Sequence, residues 1–424
     1  MSQGHRIRPK IVASTATVRR ANTQIRALFD RAETQVFPPP GVDRRDSWFA
    51  HTLPPSESPA RLYLGLAAQG RGPKVVFLRG LTTLMAAAAA LYERLGDEPA
   101  PNAADAYMSA VCYFNALREL GGARRIVEDE VEDRVARYGR DRQRLDPPEQ
   151  VFVDRAIGEP MELTSRVSTD DVAKAKARLE RLFESNDEKV DVALATNMIS
   201  VGLDISRLGL MLVQGQPKTA AEYIQATSRV GRDSARPGLV VTVLNLHKPR
   251  DRAHYESFRL FHETFYRAVE ATSVTPWAAR ALDRSLAAIV VAIARHLRPE
   301  LTPETAVGAL AEQPGYIDEV VEAIVTRAPE EEVVGGRAAL EAAVRSLLRD
   351  WQEVVAVLAP RASYAERGGR KPLLHLPLDP DLINLDPVEH RRFVAARSMR
   401  DVEANVALRL RDPNGRRLRA DDAV

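Results

Sequence analysis

The sequence predicts an α/β domain built on a parallel sheet, followed by a mainly helical C-terminal region. Three stretches carry that reading: VDVALAT (190–196), the apolar run at 208–213, and GLVVTVLNL (238–246). Each is apolar and rich in β-branched residues without in/out alternation, as expected of strands buried on both faces. Helix-forming sequence lies between strands along the chain, which is the pattern of βαβ units. Beyond Asp251 the apolar residues recur at helical spacing.

In chain order, RPKIVASTAT (8–17) reads as a strand ending in a hydroxyl-rich turn. An amphipathic helix follows at 18–31, with Val18, Ile25, Leu28 and Phe29 inward. Residues 35–72 are rich in Pro, Gly and charge, a turn-rich connector anchored by Trp48 and Phe49. A strand at 74–78 and an Ala-rich helix at 82–95 come next. Another strand is expected at 110–114, with Asn115 capping a long charged helix that Gly121 and Gly122 interrupt or bend. ELTSRV (162–167) gives a short strand and turn. A helix at 168–183 should start from Ser168 and bury Val172, Ala175, Leu179 and Leu182. Thr219 and Glu222 form a capping box. Gln225, Arg229 and Arg232, spaced i, i+4, i+7, share one face if that helix runs so far. Tyr255, Phe258, Phe261, Phe265 and Tyr266 make a stripe expected to pack on the sheet domain rather than stack on bases. Helices are expected around 276–297, 316–326 and 336–358, with a strand-like, Arg-bearing piece near the end.

Sixty basic against 58 acidic residues leave a net charge of +2, so a nucleic-acid site has to be a local patch. A single cysteine, Cys112, excludes an internal disulfide and fits a reducing cytosol. The N-terminus lacks a signal-peptide core, and the best apolar run, 286–294, is too short to span a bilayer. A cytoplasmic protein with no membrane partner is expected. His254 and His262 have no Cys or carboxylate at ligand spacing, so no metal site is expected.

The chemistry concentrates in 190–232. Two arginines and a glutamine just after a parallel-type strand suit a polyphosphate, because guanidinium is always charged and its fork matches phosphate oxygens. ATNMISVGLDI (195–205) resembles motif V of superfamily 2 helicases, and YIQATSRVGR (223–232) resembles motif VI. STAT (14–17) is similar to motif III, in family order, and YFNALRELGGARRIVEDEV (113–131) to motif IV. Together with RPKIVASTATVRRANTQIRALF, FPPPGVDRRDSWFA and FVAARSMRDVE, these phrases look like the large helicase subunit of bacterial DISARM-type anti-phage systems, from about 8 to 403.

The resemblance implies a remnant of a first RecA-like lobe at 1–34, a connector at 35–72, a second RecA-like lobe at 73–250 and a helical accessory region at 251–424. It implies that Arg229 and Arg232 contact the γ-phosphate of ATP, while Gln225 orients water or ties motif VI to the opposite lobe. Gly202 would allow close backbone approach, and Asp204 would hold the ribose or brace motif VI. Thr196, with Thr164, Ser165 and Arg166, would grip DNA phosphates, and Ser14 and Thr17 would couple the lobes. Neither a G-x-x-x-x-G-K-[ST] loop nor an acidic Mg²⁺ motif occurs before Ser14, and Asp129–Glu130 reads as solvated surface. ATP with Mg²⁺ would then be bound mainly by a lobe absent from this chain. The implied partners are DNA, a polypeptide carrying that N-terminal lobe, and further defence-system subunits. A non-catalytic DNA-binding or scaffold subunit and a fragment of a split gene are the rival readings.

Overall fold

A computed structural model describes residues 10–395, save 40, 44, 68, 97–100, 143–149, 165, 166, 168, 184–187, 198–203, 272, 273, 313, 314, 367, 378, 380, 381 and 383. The chain divides into two compact units, Met1–Asn22 with Thr34–Thr272, and Thr23–Glu33 with Ser273–Val424.

The first unit is built on six strands: β1 (Leu62–Leu66), β2 (Ala110–Phe114), β3 (Met161–Leu163), β4 (Val192–Ala195), β5 (Leu210–Gln214) and β6 (Leu239–Val243). They lie in the order β1-β6-β5-β2-β4-β3, and every pairing is parallel. The strands expected at 110–114, 190–196, 208–213 and 238–246 are β2, β4, β5 and β6. Alternate residues of β2 enter different cores. Ala110, Cys112 and Phe114 join one cluster, and Val111 and Tyr113 another. Each face is covered by helices, which explains why these strands lack a polar face.

Most of α1 (Ala21–Phe29) belongs to the second unit, whereas α2 (Pro73–Leu95), α3 (Leu117–Ile126), α4 (Glu132–Val135), α5 (Tyr138–Arg142), α6 (Thr169–Glu180), α7 (Ala220–Thr227), α8 (Pro249–Glu256) and α9 (Phe258–Glu263) belong to the first. α2 and α3 cover the Cys112 face, whereas α6 and α7 cover the Val111 face. Cys112 is fully buried, and burial pushes its thiol pKa up.

Several expectations are corrected. Residues 74–78 are the first turns of α2, not a strand. Pro73 opens the helix, and Phe77, Leu81 and Met85 recur every fourth residue as buried positions. α2 is long and apolar enough to cross a membrane by length and composition, but its buried face is the core of the sheet domain. Asn115 does not cap α3; its Nδ2 donates to the Gln214 and Gly215 carbonyls instead (3.0 and 3.3 Å). The helix runs through Gly121 and Gly122, and the irregularity falls later, in a π turn at Val127–Val131. The described part of 8–17 forms no strand, as no neighbouring strand takes up its backbone. α1 starts at Ala21 and buries none of its residues; Leu28 and Phe29 are exposed. Trp48 and Phe49 are exposed too, with Phe49 edge-on to Phe37. α6 buries Ala175 and Leu179 as expected, but Leu182 lies past its end and is exposed, and Ser168 lies outside the described residues. In the aromatic stripe, Phe261 and Phe265 pack on the sheet core, whereas Tyr255 and Tyr266 are exposed.

The second unit is helical: α10 (Ala279–Leu297), α11 (Ala309–Glu312), α12 (Gly315–Val325) and α13 (Gly336–Leu358), with a two-residue parallel pair, β7 (Ala362–Ser363) and β8 (Lys371–Pro372). Its core centres on Trp351, whose indole N–H donates to the Val307 carbonyl at 3.0 Å. The strand-like piece expected near the end lies outside the described residues.

Two buried histidines close this unit. The His375 ring contacts Asp379 through Nδ1 (3.0 Å) and His390 through Nε2 (3.2 Å), and His390 Nε2 also reaches the Pro372 and Leu373 carbonyls. Burial, reinforced by His375, holds the His390 pKa below its ordinary 6.5. A histidine depressed in the folded state takes up its proton more readily once unfolded. Its contribution is therefore fully present above about pH 6.5 and is lost as pH falls from there through the depressed value. The urea midpoint of the second unit should drop on the acid side of this window, and His390→Gln should flatten the dependence.

Candidate functional site

The segment joining β5 to β6 carries the candidate chemistry. Thr219 caps α7 as expected, its Oγ1 accepting from the Glu222 N–H at 3.1 Å. Glu222 does not return the bond; its Oε1 accepts from the Tyr113 hydroxyl at 2.7 Å. A distant carboxylate serves the helix start instead, with the Ala220 N–H donating to both oxygens of Glu270 at 2.9 Å. That placement is favoured at the positive end of a helix.

α7 ends at Thr227, so Arg229 and Arg232 do not extend its face as the spacing suggested. Farther on, Gly231, at φ +64°, turns the chain, and its N–H donates to the Leu208 carbonyl at 2.7 Å. A Cβ there would lie 2.4 Å from the Gly238 nitrogen, so the close approach of two backbones demands glycine. Arg61, which the sequence reading did not single out, holds the turn from outside. Its Nε donates to the Val230 carbonyl at 2.8 Å.

Gln225 donates through Nε2 to Thr17 Oγ1 at 2.8 Å, joining the YIQATSRVGR and STAT segments across 208 residues. Arg232 is exposed on the turn; its Nη1 pairs with the Asp204 carboxylate, and its Nε donates to the Ser228 carbonyl at 2.9 Å. Its Nη2 makes no hydrogen bond to a described residue. Arg229 is half-buried, and Ser14 is exposed.

Thr164 and Thr196 follow Leu163 and Ala195, which are register partners in β3 and β4. The two threonines thus stand side by side at the carboxyl ends of neighbouring strands. Both are buried; Thr164 Oγ1 donates to Glu162, while Thr196 Oγ1 has no hydrogen-bond partner among the described residues. Ser165, Arg166 and Gly202 lie outside the described residues. Among the described residues no group of three or more His, Cys, Asp or Glu side chains could hold a metal ion.

The helicase conserved C-terminal domain matches residues 161–234. The chain is 45% identical over 295 residues to the DISARM protein DrmA of Bacillus paralicheniformis, a match covering 70% of this chain and 25% of that protein. It therefore spans about a quarter of that relative's length. The helicase Lhr of Mycobacterium smegmatis, bound to ssDNA and AMP-PNP, overlaps 76% of this chain and 32% of its own at 14% identity, with a TM-score of 0.35. The helicase MrfA bound to DNA overlaps 58% of this chain and 26% of its own at 14% identity, with a TM-score of 0.34. Residues 161–234 therefore carry a helicase conserved C-terminal domain, and over 70% of its length the chain is similar to the DISARM protein DrmA.

Proposed function

We propose that this chain is the C-terminal part of an ATP-dependent DNA helicase or translocase in anti-phage defence, active in the cytoplasm. In this reading residues 73–250 form its second RecA-like lobe, and residues 1–34 belong with the first. ATP is the substrate. Arg232 and Arg229 contact its γ-phosphate and spread the charge that develops during phosphoryl transfer, while Gln225 orders the contact between lobes. Mg²⁺ and the remaining phosphates are held by a lobe on other sequence, because the 424 residues contain no G-x-x-x-x-G-K-[ST] loop.

The observation that carries this reading is the Gln225–Thr17 hydrogen bond at 2.8 Å. It ties the segment bearing both arginines to the segment expected to couple the lobes. The open Nη2 of Arg232 fits a phosphate oxygen, and Asp204 keeps its guanidinium aimed rather than free to swing. The DNA phosphates lie at the carboxyl ends of β3 and β4 in this reading, where Thr164 and Thr196 stand side by side but buried, so their hydroxyls reach the strand only once uncovered; such contacts position a strand without reading its sequence.

The chain alone should not hydrolyse ATP. Adding a polypeptide that carries a Walker-type loop should restore DNA-stimulated hydrolysis, followed by phosphate release. Hydrolysis by the purified chain alone, abolished by Arg232→Ala, would overturn the shared-site reading.

A further inference from the structure

A cavity of about 230 Å³ opens at the carboxyl ends of β2, β5 and β6, between α2 and α3. Its walls are mostly apolar, formed by Phe77, Phe114, Ala123, Ile126 and Val243. Nothing in the ATP chemistry above uses it. Ligands of open α/β sheets enter crevices at this edge.

Its polar groups are unusual in being unspent. Gln214 Oε1 and Glu119 Oε2, on two lining residues, are buried without a hydrogen-bond partner among the described residues, as is the bordering Asn115 Oδ1. Because the Asn115 Nδ2 is committed to two backbone carbonyls, its Oδ1 is the acceptor left over. Buried polar atoms ordinarily find partners, so three idle acceptors beside one cavity point to a ligand that donates.

The charge balance narrows the ligand further. Lys74 and Lys248 are matched by Glu119 and Asp251 around the lining, and Lys248 lies 3.6 Å from Glu119. A phosphate would meet oxygen acceptors, and a cation gains little from a balanced wall. A flat, neutral, donor-bearing ring fits the apolar walls and the acceptors together. Gly215, at φ +76°, keeps the floor clear; a Cβ there would lie 3.4 Å from both Asn115 Nδ2 and Asp251 Oδ2.

We propose that this cavity receives a nucleobase bearing an exocyclic amino group, turned in from single-stranded DNA lying along the carboxyl ends of the strands. The inference rests on the DNA-binding reading above. β2 adjoins β4 in the sheet, so the cavity begins about one strand spacing, ~4.8 Å, from Thr196. A strand crossing these carboxyl ends brings a base within reach. Cytosine presents N4–H₂ to the acceptors, whereas uracil presents an oxygen to them.

The test is fluorescence anisotropy of the full chain with labelled oligo-dC and oligo-dU of equal length. Oligo-dC should bind about tenfold tighter, the value of about one satisfied buried acceptor. Glu119→Ala should bring the ratio close to one. Ala123→Met, which fills the cavity and spares every acceptor, should do the same, and a ratio is insensitive to partial loss of folded protein. Equal binding of both strands by the unaltered chain would overturn the proposal and leave DNA binding standing, as would a preference surviving both substitutions. Binding of neither strand would remove the DNA reading itself. Free cytidine competing as well as strand cytosine would overturn the strand as the source of the base.

Discussion

With the complementing lobe present, Arg232→Ala should lower DNA-stimulated ATP turnover by about 10³-fold or more, the range for an arginine that stabilises phosphoryl-transfer charge. Fold stability should hardly change. The Arg232–Asp204 pair is at the surface, with side chains 30% and 64% exposed, and exposed pairs contribute about 0–1 kcal/mol. Loss of turnover with an unchanged unfolding midpoint would therefore assign the residue to chemistry. Arg232→Lys keeps the charge but not the planar fork, so it should recover only a small part of the rate. Steady-state hydrolysis and urea unfolding on the same variants decide the matter. Near-native turnover by Arg232→Ala would remove it from the catalytic role.

Asp105→Ala should destabilise the first unit by about 3–5 kcal/mol, the cost of leaving one partner of a buried ion pair alone. Asp105 Oδ2 accepts from Arg207 Nη1 at 3.1 Å, and its Oδ1 accepts from the Phe183 N–H at 2.5 Å. The Arg207 guanidinium also donates to the Leu179 carbonyl (3.1 Å) and to Ser109 Oγ (2.6 Å). Ser109 in turn donates to the Val190 carbonyl at 2.6 Å, so this network laces the amino ends of β2 and β4. A second pair, Arg155–Asp191 at 2.7 Å, lies at the same end. The side chains of Arg207 and Asp105 are 7% and 2% exposed, leaving Arg207 no water to replace its counter-charge. Against a typical total of about 5–15 kcal/mol, the loss brings the unit near unfolding. Replacing both, Asp105→Leu with Arg207→Met, should cost much less. Equal urea midpoints for the single and double variants would rule this account out.

The sheet was legible because its strands are buried on both faces and read as uninterrupted apolar runs. VDVALAT and GLVVTVLNL needed no knowledge of their neighbours. α2 was misread at its start because PKVVFL is β-branched and apolar; only the recurrence of Phe77, Leu81 and Met85 at every fourth position reveals the helix. Local capping was half legible. Thr219 acts as its spacing implies, but Glu222 is drawn to Tyr113, 109 residues away, and Glu270 takes its place. The arginine stripe was legible as chemistry and not as geometry, since a helical projection assumes a helix reaching Arg232, whereas α7 ends at Thr227. Arg61, the Asp105–Arg207 pair and the idle acceptors of Asn115, Glu119 and Gln214 carry no local signature. Each is defined by residues brought together only in the folded chain.

The lone thiol, at the centre of β2, doubles as a built-in probe. An alkylating reagent meets Cys112 only when the middle of the sheet has come apart, and burial keeps the more reactive thiolate scarce until then. Trp351, fully enclosed in the second unit, answers to a different event through its fluorescence. Labelling kinetics, and the emission of Trp351 with Trp48 and Trp277 replaced by Phe, would thus time the opening of each half separately.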